Sequence, residues 1–315
     1  MIPKKALSII LIFIVTFGFA QSRTQEIGLV TDNDLYTSSK NDKYYTNGLE
    51  LFYRFLSENN NEKVNKKITE FRLGQYIYNP HTINADDIAL NDRPFAGYLF
   101  AGVGRNTFYQ NESVLKVDFQ LGFVGKNSFG KEMQEQFHNF FQYRAVHGWQ
   151  HQIQNALAIQ THFLYSAKLF PKANYNYIDF NFQSEANLGT IFTGIKAGWM
   201  TRIGFKKLLP IYDSNLHGAS MNANPALKQS EFYFYAIPSI NCQVYDATIQ
   251  GSLFNDNSPV TYNLIPLRFN AEAGLKYRKN SLNLSYAFVY RSKELKHKDN
   301  MGYFYGSIQV SYLLK

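Results

Sequence analysis

The chain has 315 residues, with 32 Lys and Arg against 24 Asp and Glu and a formal net charge of +8 at pH 7. Its single cysteine, Cys242, excludes an internal disulfide framework, and with no second cysteine and no HExxH a structural zinc site has little support. A basic balance would suit nucleic acid, but an exported chain does not meet it, and the excess fits anionic lipid headgroups instead.

Export is read from the first 20 residues. Lys4 and Lys5 precede an uncharged apolar run from Ala6 to Phe17, and Gly18-Phe19-Ala20 sets small residues at a signal-peptidase site. The run is short of the roughly 20 residues that a membrane span prefers. Cleavage after Ala20 would leave a mature domain over residues 21–315. Beyond that point no apolar stretch is long enough for a spanning helix, and mean hydropathy is −0.31. Yet the chain carries 27 Phe and 23 Tyr. A transmembrane β-barrel reconciles the two, because polar lumen residues dilute the average while aromatics gather at the membrane interfaces.

Taken in chain order, the alternation predicts strands near 25–33, 45–55, 69–78, 96–108, 113–124, 155–166, 176–189, 191–205, 230–250, 264–278, 281–292 and 303–314. Residues 230–250 would make one long strand or two. In 113–124, Leu115, Val117, Phe119 and Leu121 are expected to face lipid, with Lys116, Asp118 and Gln120 facing the lumen. Lys279-Asn280 is a tight turn between two such strands. Strands of this length exceed the roughly 5–6 residues usual in soluble sheets, so the barrel is preferred over a sandwich. The fold class is thus all-β: an antiparallel transmembrane barrel of about twelve strands.

One segment has helical spacing. Across residues 130–142, Met133, Phe137, Phe140 and Phe141 form an apolar stripe, and Gln134 and His138 lie one turn apart. This short helix, in an extracellular loop, is expected at the barrel rim near the membrane interface, against the wall of the first two strands.

Three polar clusters could carry chemistry. Thr31-Asp32-Asn33-Asp34 ends the first strand, and Tyr44-Tyr45-Thr46-Asn47-Gly48 opens the second. Such stretches are commonly solvated loops, but their hard oxygens could also hold Ca²⁺. Alternation from Glu50 backwards would turn Thr46 to the lumen. In Asn91-Asp92-Arg93-Pro94 the arginine is either part of a surface turn or held to engage phosphate. The third cluster is Gln134 with His138. No GxSxG elbow, P-loop or dinucleotide fingerprint is present.

The ordered set TDNDLY (31–36), YYTNG (44–48), NDRPFAGYLF (91–100), VGKNSFGKEMQEQFHNFF (124–141) and HGWQHQIQN (147–155) resembles the outer-membrane lipid A 3′-O-deacylase family, LpxR. The resemblance spans most of the N-terminal half; the C-terminal half matches only as barrel strands. It implies a twelve-stranded enzyme, a carboxylic ester hydrolase that removes an acyl chain from lipid A of lipopolysaccharide with Ca²⁺. It further implies that His138 is the general base, with Gln134, Asn33, Asp34 and Thr46 also catalytic. Asp34 would bind the metal, and Arg93 would lie near a substrate phosphate. Asn33, Asp34, Thr46 and His138 would converge at the extracellular rim. Where some members carry an acidic residue six positions after the histidine, this chain has Arg144. Lipopolysaccharide and outer-membrane lipids are the partners implied, with no obligate protein partner and no nucleic acid. The alternatives are a non-catalytic barrel, whether small porin or structural protein, and an outer-membrane phospholipase. A porin needs a wider lumen than about twelve strands provide, and the nucleophilic serine of a phospholipase is not evident beside His138.

Overall fold

The computed structural model describes residues 23–37, 44–82, 85–143, 145–170, 176–224 and 229–314, without the side chain of Thr46. The expected signal segment and Arg144 lie outside the described residues. Twelve antiparallel strands close into one barrel, each paired with its chain neighbours and β1 with β12. They are β1 (Gln25–Asn33), β2 (Tyr44–Ser57), β3 (Val64–Asn79), β4 (Ala96–Tyr109), β5 (Val114–Val124), β6 (Ala156–Leu169), β7 (Ile178–Gly189), β8 (Phe192–Gly204), β9 (Ser230–Asp246), β10 (Leu267–Lys279), β11 (Leu282–Arg291) and β12 (Tyr303–Leu314). Closure pairs both edges that an open sheet would leave exposed. Residues 230–250 are one strand followed by the helical turn α2 (Ala247–Gln250), where Asp246 caps the Thr248 amide.

The alternation sorts the two faces as expected. On β5, Phe119, Leu121 and Phe123 are exposed on the outside, while Asp118 and Gln120 are buried within. The lumen is filled by paired charge. Arg54 bonds Glu70 and lies 3.3 Å from Glu26, and Arg72 reaches Asp118 at 2.6 Å and Glu50 at 3.3 Å. The end at which β1 begins and β12 ends is by barrel convention the periplasmic end; apart from the two-residue turn between β7 and β8, the connections at the opposite, extracellular end are longer.

One connection on the periplasmic side departs from this pattern. Between β8 and β9 the chain folds back into the barrel mouth. There Lys66 Nζ donates to Asp213 Oδ1 (3.0 Å) and to the Ala219 and Met221 carbonyls (3.1 and 3.0 Å). Arg278 donates to the Asp213 and Ser220 carbonyls, and Ile211, Ala219 and Met221 pack against Ile68, Phe108 and Leu313. This insert closes off the periplasmic end of the lumen with a packed apolar plug, an arrangement unlike an open porin.

Helix α1 (Gly130–Phe141) follows β5 after a 3₁₀ turn at Lys126–Ser128. It packs mainly against β4 and β3, not against β1 and β2 as the sequence suggested. The reason is its tether. Only five residues separate the end of β5 from the helix start, so the helix begins on the adjacent strand, where Gly97 of β4 and Gly130 approach closely. A Cβ on Gly97 would stand 3.2 Å from the Gly130 Cα and 2.0 Å from Ser128 Oγ.

The lumen network gives a direct test of the inward assignment. Arg54→Ala would leave Glu26 and Glu70 buried without their shared cation, a loss that typically costs about 3–5 kcal/mol. Urea unfolding of the refolded barrel in detergent should show a lowered midpoint, and Leu121→Ala on the lipid face should show a much smaller shift.

Candidate functional site on the outer wall

Asn33 is the last residue of β1 and shares the outer face with Ile27 and Leu29, both exposed to the membrane side. Unlike them it is buried. Its amide nitrogen donates to Asn47 Oδ1 of β2 at 2.7 Å, and its Oδ1 accepts from the Leu35 amide, capping the 3₁₀ turn Asp34–Tyr36. That turn folds outward over β12, where the Tyr36 Cβ would lie 2.6 Å from a Cβ on Gly306. Asp34, within the turn, is 1% exposed.

A register shift between Tyr45 and Asn47 marks a bulge in β2. Tyr45 points into the lumen and donates to Asp32 Oδ2 at 2.8 Å, whereas Asn47 joins Asn33 on the outer face. Thr46 sits at the bulge, so the strict alternation that would turn it to the lumen is interrupted at that residue.

On β3 the outer series Phe71, Leu73, Gln75, Ile77 changes character halfway. The first two are exposed to lipid, and the last two are covered by the connection that carries α1. Gln75 Nε2 donates to the Ser128 carbonyl at 2.6 Å, and Trp149 packs with Ile77 and Phe95 beneath the loop. Gly130, Gln134 and His138 form the buried stripe of the helix. Gln134 Oε1 accepts from Trp149 Nε1 at 2.7 Å, while its Nε2 has no hydrogen-bond partner among the described residues. The His138 ring meets Tyr143 edge-on at 5.7 Å.

Asn33, Asp34, Gln134 and His138 therefore share the extracellular rim and the outer side of the wall, with Asn47 and Gln75 between the two groups. Asn47, Gln75 and Trp149 received no role from the sequence. For Gln75 the signal was available, since an amide interrupts an otherwise apolar outward series.

Arg93 is not with them. It is 1% exposed, stacks over Tyr78 at 4.5 Å, and donates to Thr248 Oγ1 at 3.1 Å with Glu294 at 3.5 Å. Burial works against its charge, but the carboxylates of Glu294 and Asp246 more than offset this and hold its guanidinium above the ordinary value. It ties three extracellular loops together, and a role at a substrate phosphate finds no support in that position. Arg93 also lines a lumen cavity of about 270 Å³ with Tyr45, Tyr78, Asp246, Arg268 and Glu294. Such a charged chamber suits water and ions rather than an acyl chain.

The outer-wall donors fit a hard cation in type: one buried carboxylate, Asp34, amid amide and hydroxyl oxygens. Among the described residues no group of three or more His, Cys, Asp or Glu assembles, so a cation there would draw most of its ligands from neutral oxygens.

Comparison with solved structures places LpxR from Salmonella typhimurium at a TM-score of 0.72 and 18% identity, covering 92% of this chain and 100% of that one. The β-domain of the Bordetella autotransporter BrkA follows at 0.49 and 9% identity, covering 92% and 99%. The translocator domain of NalP from Neisseria meningitidis scores 0.42 at 9% identity, covering 98% and 94%. The curated protein sequences yield no match. The profile described as outer membrane protein LpxR matches residues 6–314, and on that match the chain belongs to the LpxR family of outer-membrane proteins.

Proposed function

We propose that the protein is an outer-membrane lipid A deacylase that hydrolyses an ester-linked acyl chain of lipopolysaccharide. The observation that carries this reading is the position of a polar cluster on the outside of the barrel, at the extracellular rim, directly above an apolar belt that includes Leu29, Leu49 and Leu73. Lipopolysaccharide occupies the outer leaflet, so its headgroup and ester bonds lie at rim height while its acyl chains run down the wall.

In this reading His138 takes a proton from water as it attacks the ester carbonyl and returns it to the departing alcohol. Gln134, held through its oxygen by Trp149, has an Nε2 donor free for the developing oxyanion. Asn33 fixes the turn that presents Asp34, and Thr46 lies at the β2 bulge beside them. Asp34 would anchor Ca²⁺, which supplies positive charge against the tetrahedral oxyanion when bound. A glycerophospholipid could reach the same wall, and identification of the released product separates the two substrates. The filled lumen favours either enzyme over a porin.

Lipid A mass spectrometry, from cells with and without the protein, should show loss of one acyl chain only when it is present. His138→Ala should lower release by purified protein in micelles about 10²–10⁴-fold with the barrel still heat-modifiable. Full release by that variant would contradict the role of His138.

Excess chelator should abolish release by the wild type, with recovery on adding Ca²⁺; Asp34→Ala should stay inactive whatever the Ca²⁺ concentration. Undiminished release in chelator would remove calcium from the mechanism.

Gly97→Val should force Ser128 and Gly130 off the wall and misplace α1. A displacement of about 1 Å can cost on the order of 10²-fold in rate. The assay is release by the folded variant, and wild-type rates would show that the Gly97–Gly130 contact does not position the helix.

A further inference from the structure

Helix α1 has three distinct sides. At about 100° per residue, Gly130, Gln134 and His138 make one stripe, which is buried against the barrel. Met133, Phe137 and Phe140 lie to one side of it, and Lys131, Glu135 and Asn139 to the other. Both flanks are open. Phe140 is 78% exposed and Met133 41%, while Lys131 and Glu135 form an exposed pair at 3.7 Å. The helix thus buries Gln134 and His138 while exposing Met133 and Phe140, unlike a helix on a protein facing only water, which turns its apolar stripe inward. Beyond its end the apolar flank continues into a ring cluster, with Phe137–Phe141 centroids at 4.7 Å and Phe141 stacked on Tyr143 at 5.8 Å.

Because the helix lies across β4 and β3 near their extracellular ends, one flank faces down the wall and the other away from the membrane. Below the helix the same strands expose an apolar belt, Leu73, Val103 and Phe71. We propose that the Met133–Phe137–Phe140 flank, with Phe141 and Tyr143, inserts among the acyl chains of the outer leaflet and extends the barrel's lipid-facing surface outward. The exposure of this aromatic flank on the two strands that carry the belt identifies lipid as its occupant. The charge on the opposite flank sets the orientation, because placing Lys131 and Glu135 in hydrocarbon would be strongly unfavourable. The helix that carries His138 is then a shelf embedded in the membrane surface, and a lipid substrate enters the site without leaving the leaflet. This inference rests on the outer-membrane assignment and not on the deacylase reading.

The test reads no catalysis. In a Cys242→Ser background, Phe140→Cys and Glu135→Cys are labelled with a nitroxide, and the full-length barrel is reconstituted in phosphatidylcholine–phosphatidylglycerol vesicles. Relaxation by oxygen, which partitions into lipid, is compared with relaxation by a water-soluble nickel chelate. The label at position 140 should favour oxygen severalfold and the label at 135 should favour nickel. Met133→Cys gives a second reading on the same flank should a label at 140 disturb folding. A nickel preference at 140 and 133, or the same preference on both flanks, would overturn the proposal.

Discussion

A closed sheet one residue thick separates two solvents, and each strand residue must suit one or the other. Most of the molecule follows from that constraint. Inward positions can carry charge only where partners are supplied, as in the Arg54–Glu26–Glu70 and Arg72–Glu50–Asp118 groups. Outward positions must be apolar wherever they meet lipid. An outward polar residue is therefore stable only if something covers it or if it stands above the membrane. Asn33, Asn47 and Gln75 are such residues, and the structure covers them with the Asp34–Tyr36 turn on one side and the connection to α1 on the other.

The candidate site is a consequence of these covers. The elements that shield the outward amides also set Asp34, Gln134 and His138 on the outer side of the extracellular rim. The close approach at Gly97 and Gly130 and the Trp149–Gln134 hydrogen bond keep the helix low against the barrel. The lumen is filled at its periplasmic end by the β8–β9 insert, and its upper chamber is lined by charge. The covered outward amides and the filled lumen are two results of the same packing.

Much of the fold was legible because alternation over ten or more residues has few other meanings. All twelve strands fall where the pattern puts them, and the helix begins at Gly130 as its spacing indicates. Failures came where a local signal depends on distant partners. β3 begins at Val64, five residues before the predicted start, in a stretch where Lys66 is held inside by Asp213 and the Ala219 and Met221 carbonyls. Arg93 read equally well as exposed, since Thr248 and Glu294 lie in loops far along the chain. At Thr46 the strand register is interrupted by a bulge, which leaves no mark on local composition. The roles assigned through family resemblance mark residues of the right chemistry, and their shared side of the wall emerges only from the three-dimensional register.

The central claim is that lipid meets the site from the outside of the barrel. Photo-cross-linking tests this most directly. A benzophenone amino acid replaces Leu49 on the outer wall beneath Asn47, or Asn241 on the lumen cavity lining. Cells expressing each variant are irradiated, and adducts are probed for lipopolysaccharide. The account predicts a lipopolysaccharide adduct at position 49 and none at 241. An adduct formed at 241 and missing at 49 would place the substrate in the lumen and contradict it.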